Sequence, residues 1–220
     1  MTQEKDFVRR LRRLDCCALS DAIDKVGLGS VVTGVPQQAG DKRVAGRIVT
    51  IKLGTGAPPS GTPRHLGTTA IELGTSDNVI VVEQRSGVEA GSWGGLLSLG
   101  AKVKGIAGVI ADGPVRDIDE AREMGFPVFT SALTARTARG RIVEKGTNVP
   151  IEAFGVAIEP GDYVAADRSA LIFIRAADIE TVLTAAEAIV AREAHMAKAV
   201  LAGVPMSEVM GGNYEFMLKD

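Results

Sequence analysis

Between residues 46 and 130 the chain alternates short β-rich runs with amphipathic helical patterns, and that rhythm limits the fold more than any other feature of it. The β-rich runs cover 46–53, 78–83, 105–111 and 127–130, and helical spacing of apolar residues marks 65–73, 94–104 and 117–124. Strands joined through helices of this length form βα units, so at least part of the sheet is expected to be parallel. The run 54–63, rich in Gly and Pro, reads as a loop.

Either side of this core the pattern changes. Helices are expected at 6–14 and again from Ser20, read as an N-cap, to Gly27, a glycine stop. Beyond residue 140 come short strand candidates at 141–144, 151–155, 163–166 and 170–175, with turns such as Glu159-Pro160-Gly161-Asp162 between them. They predict a β-rich second layer beside the α/β part. An Ala-rich helix from about 176 to 201 follows, closed by Gly203 and Pro205 before a polar tail. With no internal repeat and no linker, residues 1–220 read as a single α/β domain with N-terminal helices within 1–30.

The formal net charge of −2 offers no field for nucleic acid. The one basic run, Arg9-Arg10-Leu11-Arg12-Arg13, is the expected wet face of the first helix, whose apolar stripe is Phe7, Val8, Leu11 and Leu14. No apolar run approaches the roughly 20 residues that span a bilayer, and the charged N-terminal stretch resembles no signal peptide, so a cytoplasmic protein without membrane contact is expected. Adjacent Cys16 and Cys17 suit neither an ordinary disulfide nor a Cys-x-x-Cys pair and read as buried or interfacial thiols. His65 and His195 lack a second histidine at metal spacing, which argues against zinc. His65, just past the loop, is a candidate substrate contact or a plain helix-start residue. Ile71-Glu72-Leu73-Gly74-Thr75 lacks the further glycines of a nucleotide cradle.

Chemistry concentrates at Ala111-Asp112-Gly113-Pro114-Val115-Arg116-Asp117, where an apolar strand gives way to a helix. Arg116 offers a fork of donors matched to a carboxylate, and Asp117 is a hard oxygen ligand suited to Mg²⁺ or Mn²⁺. Together they suit a metal-bound 2-oxo acid. Gly94 and Gly95 open the preceding helix, so the N–H groups from Gly95 through Leu96 to Leu97 are free for an anion. Glu120, three positions beyond Asp117, shares its helical face, and reads either as a further acid for the site or as a solvated charge near a helix start. Asp112, Asp162 and Asp167 have turn and hairpin readings that need no catalysis.

These motifs resemble the RraA-like family, which includes 4-hydroxy-4-methyl-2-oxoglutarate aldolases, oxaloacetate decarboxylases and regulators of ribonuclease E. The matching residues are Ser20-Asp21-Ala22-Ile23, Trp93-Gly94-Gly95-Leu96-Leu97, the stretch from Gly105 to Asp117, Gly125-Phe126-Pro127-Val128-Phe129, and Pro160 to Asp167. Gly95, twenty intervening residues, Arg116-Asp117 and then Glu120 repeat a spacing found among its members. The resemblance implies a ββα sandwich of the swivelling-domain type and assembly as homotrimers or hexamers. It further implies a lyase site in which Arg116 and the amides of residues 94–97 hold a pyruvyl carboxylate and Asp117 holds Mg²⁺ or Mn²⁺. Retro-aldol cleavage and decarboxylation would then share one enolate. Two positions depart from the aldolase pattern: Gly95 stands where such members carry an acid, and Met196 aligns with an acid supplied by a neighbouring subunit, with Glu193 one helical turn away. The alternative implied by the same family is a protein-binding regulator without turnover.

Overall fold

A computed structural model describes residues 3–57 and 64–211; residues 58–63 of the expected loop lie outside the described residues. Its centre is β3 (Val44–Gly54), whose β-branched residues favour extension and whose alternate side chains go to opposite faces. β4 (Asn78–Glu83), β5 (Val109–Asp112) and β6 (Val128–Thr130) continue from it in parallel, each reached through a helix: α3 (Thr68–Leu73), α4 (Gly95–Val103) and α5 (Ile118–Met124). The expected βα units are therefore present.

The late strands mostly extend the same sheet. β10 (Tyr163–Ala166) pairs antiparallel with β3, β11 (Leu171–Ile174) with β10, and β1 (Ser30–Val32) with β11. At the other edge β2 (Gln37–Ala39) pairs with β6, while β7 (Val143–Thr147) joins the far end of β3. The nine-stranded order is β1-β11-β10-β3-β4-β5-β6-β2, with β7 off that path. The second β layer is the hairpin of β8 (Ile151–Ala153) and β9 (Val156–Ile158).

Strand alternation sorts the core into three layers. Val79 and Val81 of β4, Val164 of β10 and Phe173 of β11 face the hairpin's Ile151 and Ile158. Ile80 and Val82 face the opposite way, toward α3, α4 and α5. Over the antiparallel half that helical layer is made by α1 (Gln3–Leu11), α2 (Cys16–Val26) and α6 (Ile179–Leu201), packed on Tyr163, Ala165, Ile172 and Ile174. Hairpin, mixed sheet and helices stack as a ββα sandwich.

Some boundaries differ from the sequence reading. The N-cap of α2 is Asp15, whose carboxylate accepts from Ala18 N at 2.8 Å, and Ser20 lies inside the helix. The stop is Gly27, left-handed at φ 68°. α1 ends at Leu11 because the chain tightens there, Leu14 N bonding Leu11 O rather than the carbonyl a full turn back. Residues 105 and 106 cap α4 instead of opening β5: Gly105 is left-handed, and Ile106 N donates to Ala101 O. In the basic run, Arg10 is withdrawn from solvent to grip Glu187 of α6 through two hydrogen bonds of 2.8 Å. Part of the expected polar tail forms α7 (Met206–Val209). Cys16 is buried and Cys17 exposed. Among the described residues, no helix is long and apolar enough to cross a membrane.

Candidate active site

Arg116-Asp117 and Gly94-Gly95 stand 21 residues apart or more in sequence, and a short backbone ladder brings them together. Ser92 N donates to Pro114 O at 2.7 Å and Arg116 N to Trp93 O at 3.0 Å, with Trp93 and Val115 paired as a parallel bridge. Trp93 is fully buried and locks the helix opening, its indole Nε1 donating to Ser98 Oγ, which in turn donates to Gly94 O. The turn is thus built on the core.

Asp117 is the most informative residue of the site. It occupies the N-cap position of α5, where an aspartate ordinarily caps its own helix, yet its side chain makes no such bond and its backbone is left-handed at φ 56°. That conformation is costly for a residue with a Cβ, and such strain gathers at functional sites. The carboxylate turns instead to α4, accepting from Gly95 N at 3.1 Å, while Arg116 Nε donates to both its oxygens at 3.1 Å. The terminal nitrogens of Arg116 have no partner among the described residues, so that end of the guanidinium stays open.

Three glycines make room for this arrangement. A Cβ at Gly91 would lie 2.9 Å from Arg116 Cγ, one at Gly94 2.9 Å from Asp117 Oδ2, and one at Gly95 would overlap the Glu120 carboxylate. Glu120 therefore fills the space that a side chain at position 95 would take. Of the amides expected to meet an anion, Gly95 N is engaged by Asp117, whereas Leu96 N and Leu97 N have no acceptor among the described residues. Gly94 supplies no side-chain cap.

All six residues singled out from the sequence meet here: Gly94, Gly95, Leu96, Leu97, Arg116 and Asp117 line one cleft of about 740 Å³. His65, Trp93, Thr137, Ala138 and Arg139 line it too. His65 Nδ1 lies 2.9 Å from Leu66 O, a contact that is a hydrogen bond in the form that carries the proton on Nδ1. Asp112 accepts from Phe154 N of the hairpin and not from its own turn, Asp162 accepts from Glu159 N and Ala176 N, and Asp167 accepts from Ser169 N. Glu193, His195 and Met196 lie on α6 and do not line this cleft. Sequence reasoning missed Arg139 and the Trp93–Ser98 lock, since neither belongs to a local motif.

The donor set fits a hard divalent ion. Two carboxylates stand at the helix opening, Asp117 against both Gly94 and Gly95 and Glu120 against Gly95, and no three His, Cys, Asp or Glu side chains form a metal-holding group among the described residues. One or two carboxylates with water and substrate completing the shell is the usual way to hold Mg²⁺.

Comparison with known proteins agrees with this geometry: a family model for RraA-like proteins, described as Aldolase/RraA, matches residues 16–173. The chain belongs to the RraA-like family. The 4-hydroxy-4-methyl-2-oxoglutarate aldolase of Thermus thermophilus is 30% identical over 136 residues, 61% of this chain and 77% of that protein. Among solved structures, an uncharacterised Pseudomonas syringae protein superposes with a TM-score of 0.81 at 25% identity, covering 94% of this chain and 98% of its own. Streptomyces coelicolor RraAS2, described as an unusual member of the RNase ES inhibitor RraA family, has a TM-score of 0.74 at 22% identity, covering 89% and 97%; at that identity it supports the fold alone.

Proposed function

We propose that this RraA-like protein is a divalent-metal-dependent carbon–carbon lyase of small 2-oxo acids, cleaving 4-hydroxy-2-oxo acids such as 4-hydroxy-4-methyl-2-oxoglutarate, decarboxylating oxaloacetate, or both. The observation that carries the reading is the strained Asp117, turned from its own helix into the cleft beside an Arg116 whose terminal nitrogens are open. A relative named for that aldolase activity supports it.

In this reading Arg116 and the amides of Leu96 and Leu97 grip the C1 carboxylate and fix the plane of the 2-oxo group. Asp117 and Glu120 are the residues that would hold Mg²⁺ or Mn²⁺, and the bound ion would supply Lewis-acid polarisation of the C2 carbonyl. The charge that develops on the C2 oxygen when the C3–C4 bond breaks then meets preorganised positive charge rather than reorienting water. Buried Trp93 keeps the amide-lined turn in place through the reaction.

We further propose a cytoplasmic homotrimer or hexamer, for which the apolar outer face of α4 is the supporting feature: Leu96 and Val103 are 82% and 80% exposed, with Leu99 between them. The same face favours the second reading, a protein-binding regulator. A pyruvate-release assay on oxaloacetate and 4-hydroxy-4-methyl-2-oxoglutarate, with Mg²⁺, Mn²⁺ or chelator, separates the two. Release that is abolished by chelation and falls at least about 100-fold in Asp117→Asn supports the lyase. Release that survives both overturns the mechanism, and absence of release from any 2-oxo acid, with capture of a ribonuclease E-type partner, establishes the regulator.

A further inference from the structure

Two arginines line the cleft, Arg116 and Arg139, and the proposed chemistry uses only Arg116; the other arginines close in sequence to the lining residues are engaged elsewhere. Arg64 is paired with Glu72 at 2.7 Å and Arg136 with Glu89 at 3.0 Å. Arg141 donates to Thr137 O at 3.2 Å, and Arg116 is held by Asp117. Arg139 lines the cleft, yet its guanidinium has no hydrogen bond or ion pair among the described residues.

Its backbone is nevertheless fixed. Ala138 before it and Ile142 after it belong to the hydrophobic core, and the amides of Arg141 and Ile142 both donate to Ala138 O. The preceding strand-like stretch is tied down by Gly91 N to Arg136 O, 2.9 Å, and Thr134 N to Val115 O, 3.0 Å. An unpaired cation on an anchored turn suits an anion, and it lines the same cleft as the helix opening proposed to take the first carboxylate.

Resting on the lyase reading, we infer that Arg139 binds a second carboxylate at the far end of the substrate, and that it thereby favours aldol cleavage of dicarboxylic 4-hydroxy-2-oxo acids over decarboxylation of oxaloacetate. The discrimination follows from charge balance. In the retro-aldol step the C3–C4 bond breaks, its electron pair goes to the C2–C3 enolate, the 4-hydroxyl proton passes to solvent water, and the distal carboxylate leaves still charged on the new carbonyl fragment. Arg139 stabilises it equally before and during the reaction, so it lowers KM without opposing kcat. In oxaloacetate decarboxylation the bond to the distal carboxylate is the one that breaks, and its charge passes to the enolate as neutral CO₂ departs. A cation there holds the ground state more strongly than the transition state and slows the step.

The test compares wild type with Arg139→Gln and Arg139→Lys. One charge-assisted hydrogen bond corresponds to about 10- to 100-fold, so Arg139→Gln is expected to lower kcat/KM for 4-hydroxy-4-methyl-2-oxoglutarate by that factor, through KM. For oxaloacetate, KM rises while kcat stays level or increases, and for the monocarboxylate 4-hydroxy-2-oxopentanoate neither constant moves. Arg139→Lys restores part of the dicarboxylate preference. Equal losses on all three substrates, or a fall in kcat for oxaloacetate, would overturn the inference. Calorimetric binding of the unreactive pair 2-oxoglutarate and 2-oxobutyrate keeps it separate from the lyase reading. A wild-type preference for 2-oxoglutarate that Arg139→Gln abolishes supports the subsite even in a protein without turnover; turnover without that preference refutes the subsite and leaves the lyase standing.

Discussion

Replacing Gly95 by Ala should separate stability from function in this protein. The added Cβ would overlap the Glu120 carboxylate, lie 2.7 Å from its Cδ, and come within 3.2 Å of Asp117 Cβ. The obstacle is the free end of an exposed side chain, so Glu120 can swing outward at a cost of about 0.5–1.5 kcal/mol for a less favourable rotamer. Against this, alanine is preferred over glycine in a helix by up to about 1 kcal/mol. The two nearly cancel, and thermal unfolding should shift by no more than a few degrees. The carboxylate, however, is expelled from the space between Gly95 and Asp117. If it holds or orients the metal, Mn²⁺ affinity and metal-dependent pyruvate release should each fall roughly 10- to 100-fold. The double variant Gly95→Asp, Glu120→Ala returns an acid to the same space from the other helix and should recover most of that loss. Wild-type Mn²⁺ binding and turnover in Gly95→Ala would show that the Glu120 position is immaterial, and a destabilisation above about 3 kcal/mol would show that Glu120 cannot be displaced as argued.

Three further outcomes follow from the same structure. Because Asp117 is left-handed, Asp117→Gly should be more stable to urea than Asp117→Ala by about 1 kcal/mol, though both lose activity; equal midpoints would remove the strain argument. Burial alone pushes the Asp167 carboxyl up, but hydrogen bonds from the amides of Cys16, Ser169 and Ala170 and from the Cys16 thiol outweigh it and hold it below its usual 3.8. A carboxylate depressed in the folded state contributes stability above its unfolded value that disappears as pH falls through the folded one. Denaturant midpoints of Asp167→Asn should therefore lose less than wild type between pH 5 and about pH 3; parallel curves would contradict this. Burial, followed by the charge of Asp167, pushes the Cys16 thiol far up, so a thiol reagent at pH 8 should label Cys17 and spare Cys16 in the native protein, as peptide mass mapping would record.

What the sequence disclosed depended on how local the cause was. The strand at 78–83 was legible to the residue because an unbroken β-branched run, Val79-Ile80-Val81-Val82, sits between polar ends and is buried on both faces. β2 was not legible, since Gln37-Gln38-Ala39 has no strand pattern and is held by its pairing with β6, about 90 residues away. The start of α2 was misplaced because Asp15 and Ser20 are equally good caps, and the choice falls to Asp15 through packing that begins at Cys16, whose amide reaches Asp167. At the site, Arg116 and Asp117 announced themselves by adjacency at a strand–helix junction. Their meeting with Gly95 needs the Trp93–Val115 bridge, and the place of Arg139 needs Ala138 and Ile142 in the core; both are long-range effects that spacing does not encode.

The central strand also dictates how this protein must be born. β3 leaves the ribosome early but takes one neighbour from residues 78–83 and, along its other flank, β7 from 143–147 and β10 from 163–166, while β1 waits for β11 at 171–174. Such distant pairings make folding slow. A nascent chain of 150 residues holds β7 but lacks β10, so the 44–47 end of that flank is unpaired and offers a surface on which neighbouring chains on a polysome can zip together. Production of this protein should accordingly be limited by elongation rate and chaperone supply during translation of its last third, rather than by the stability of the finished molecule.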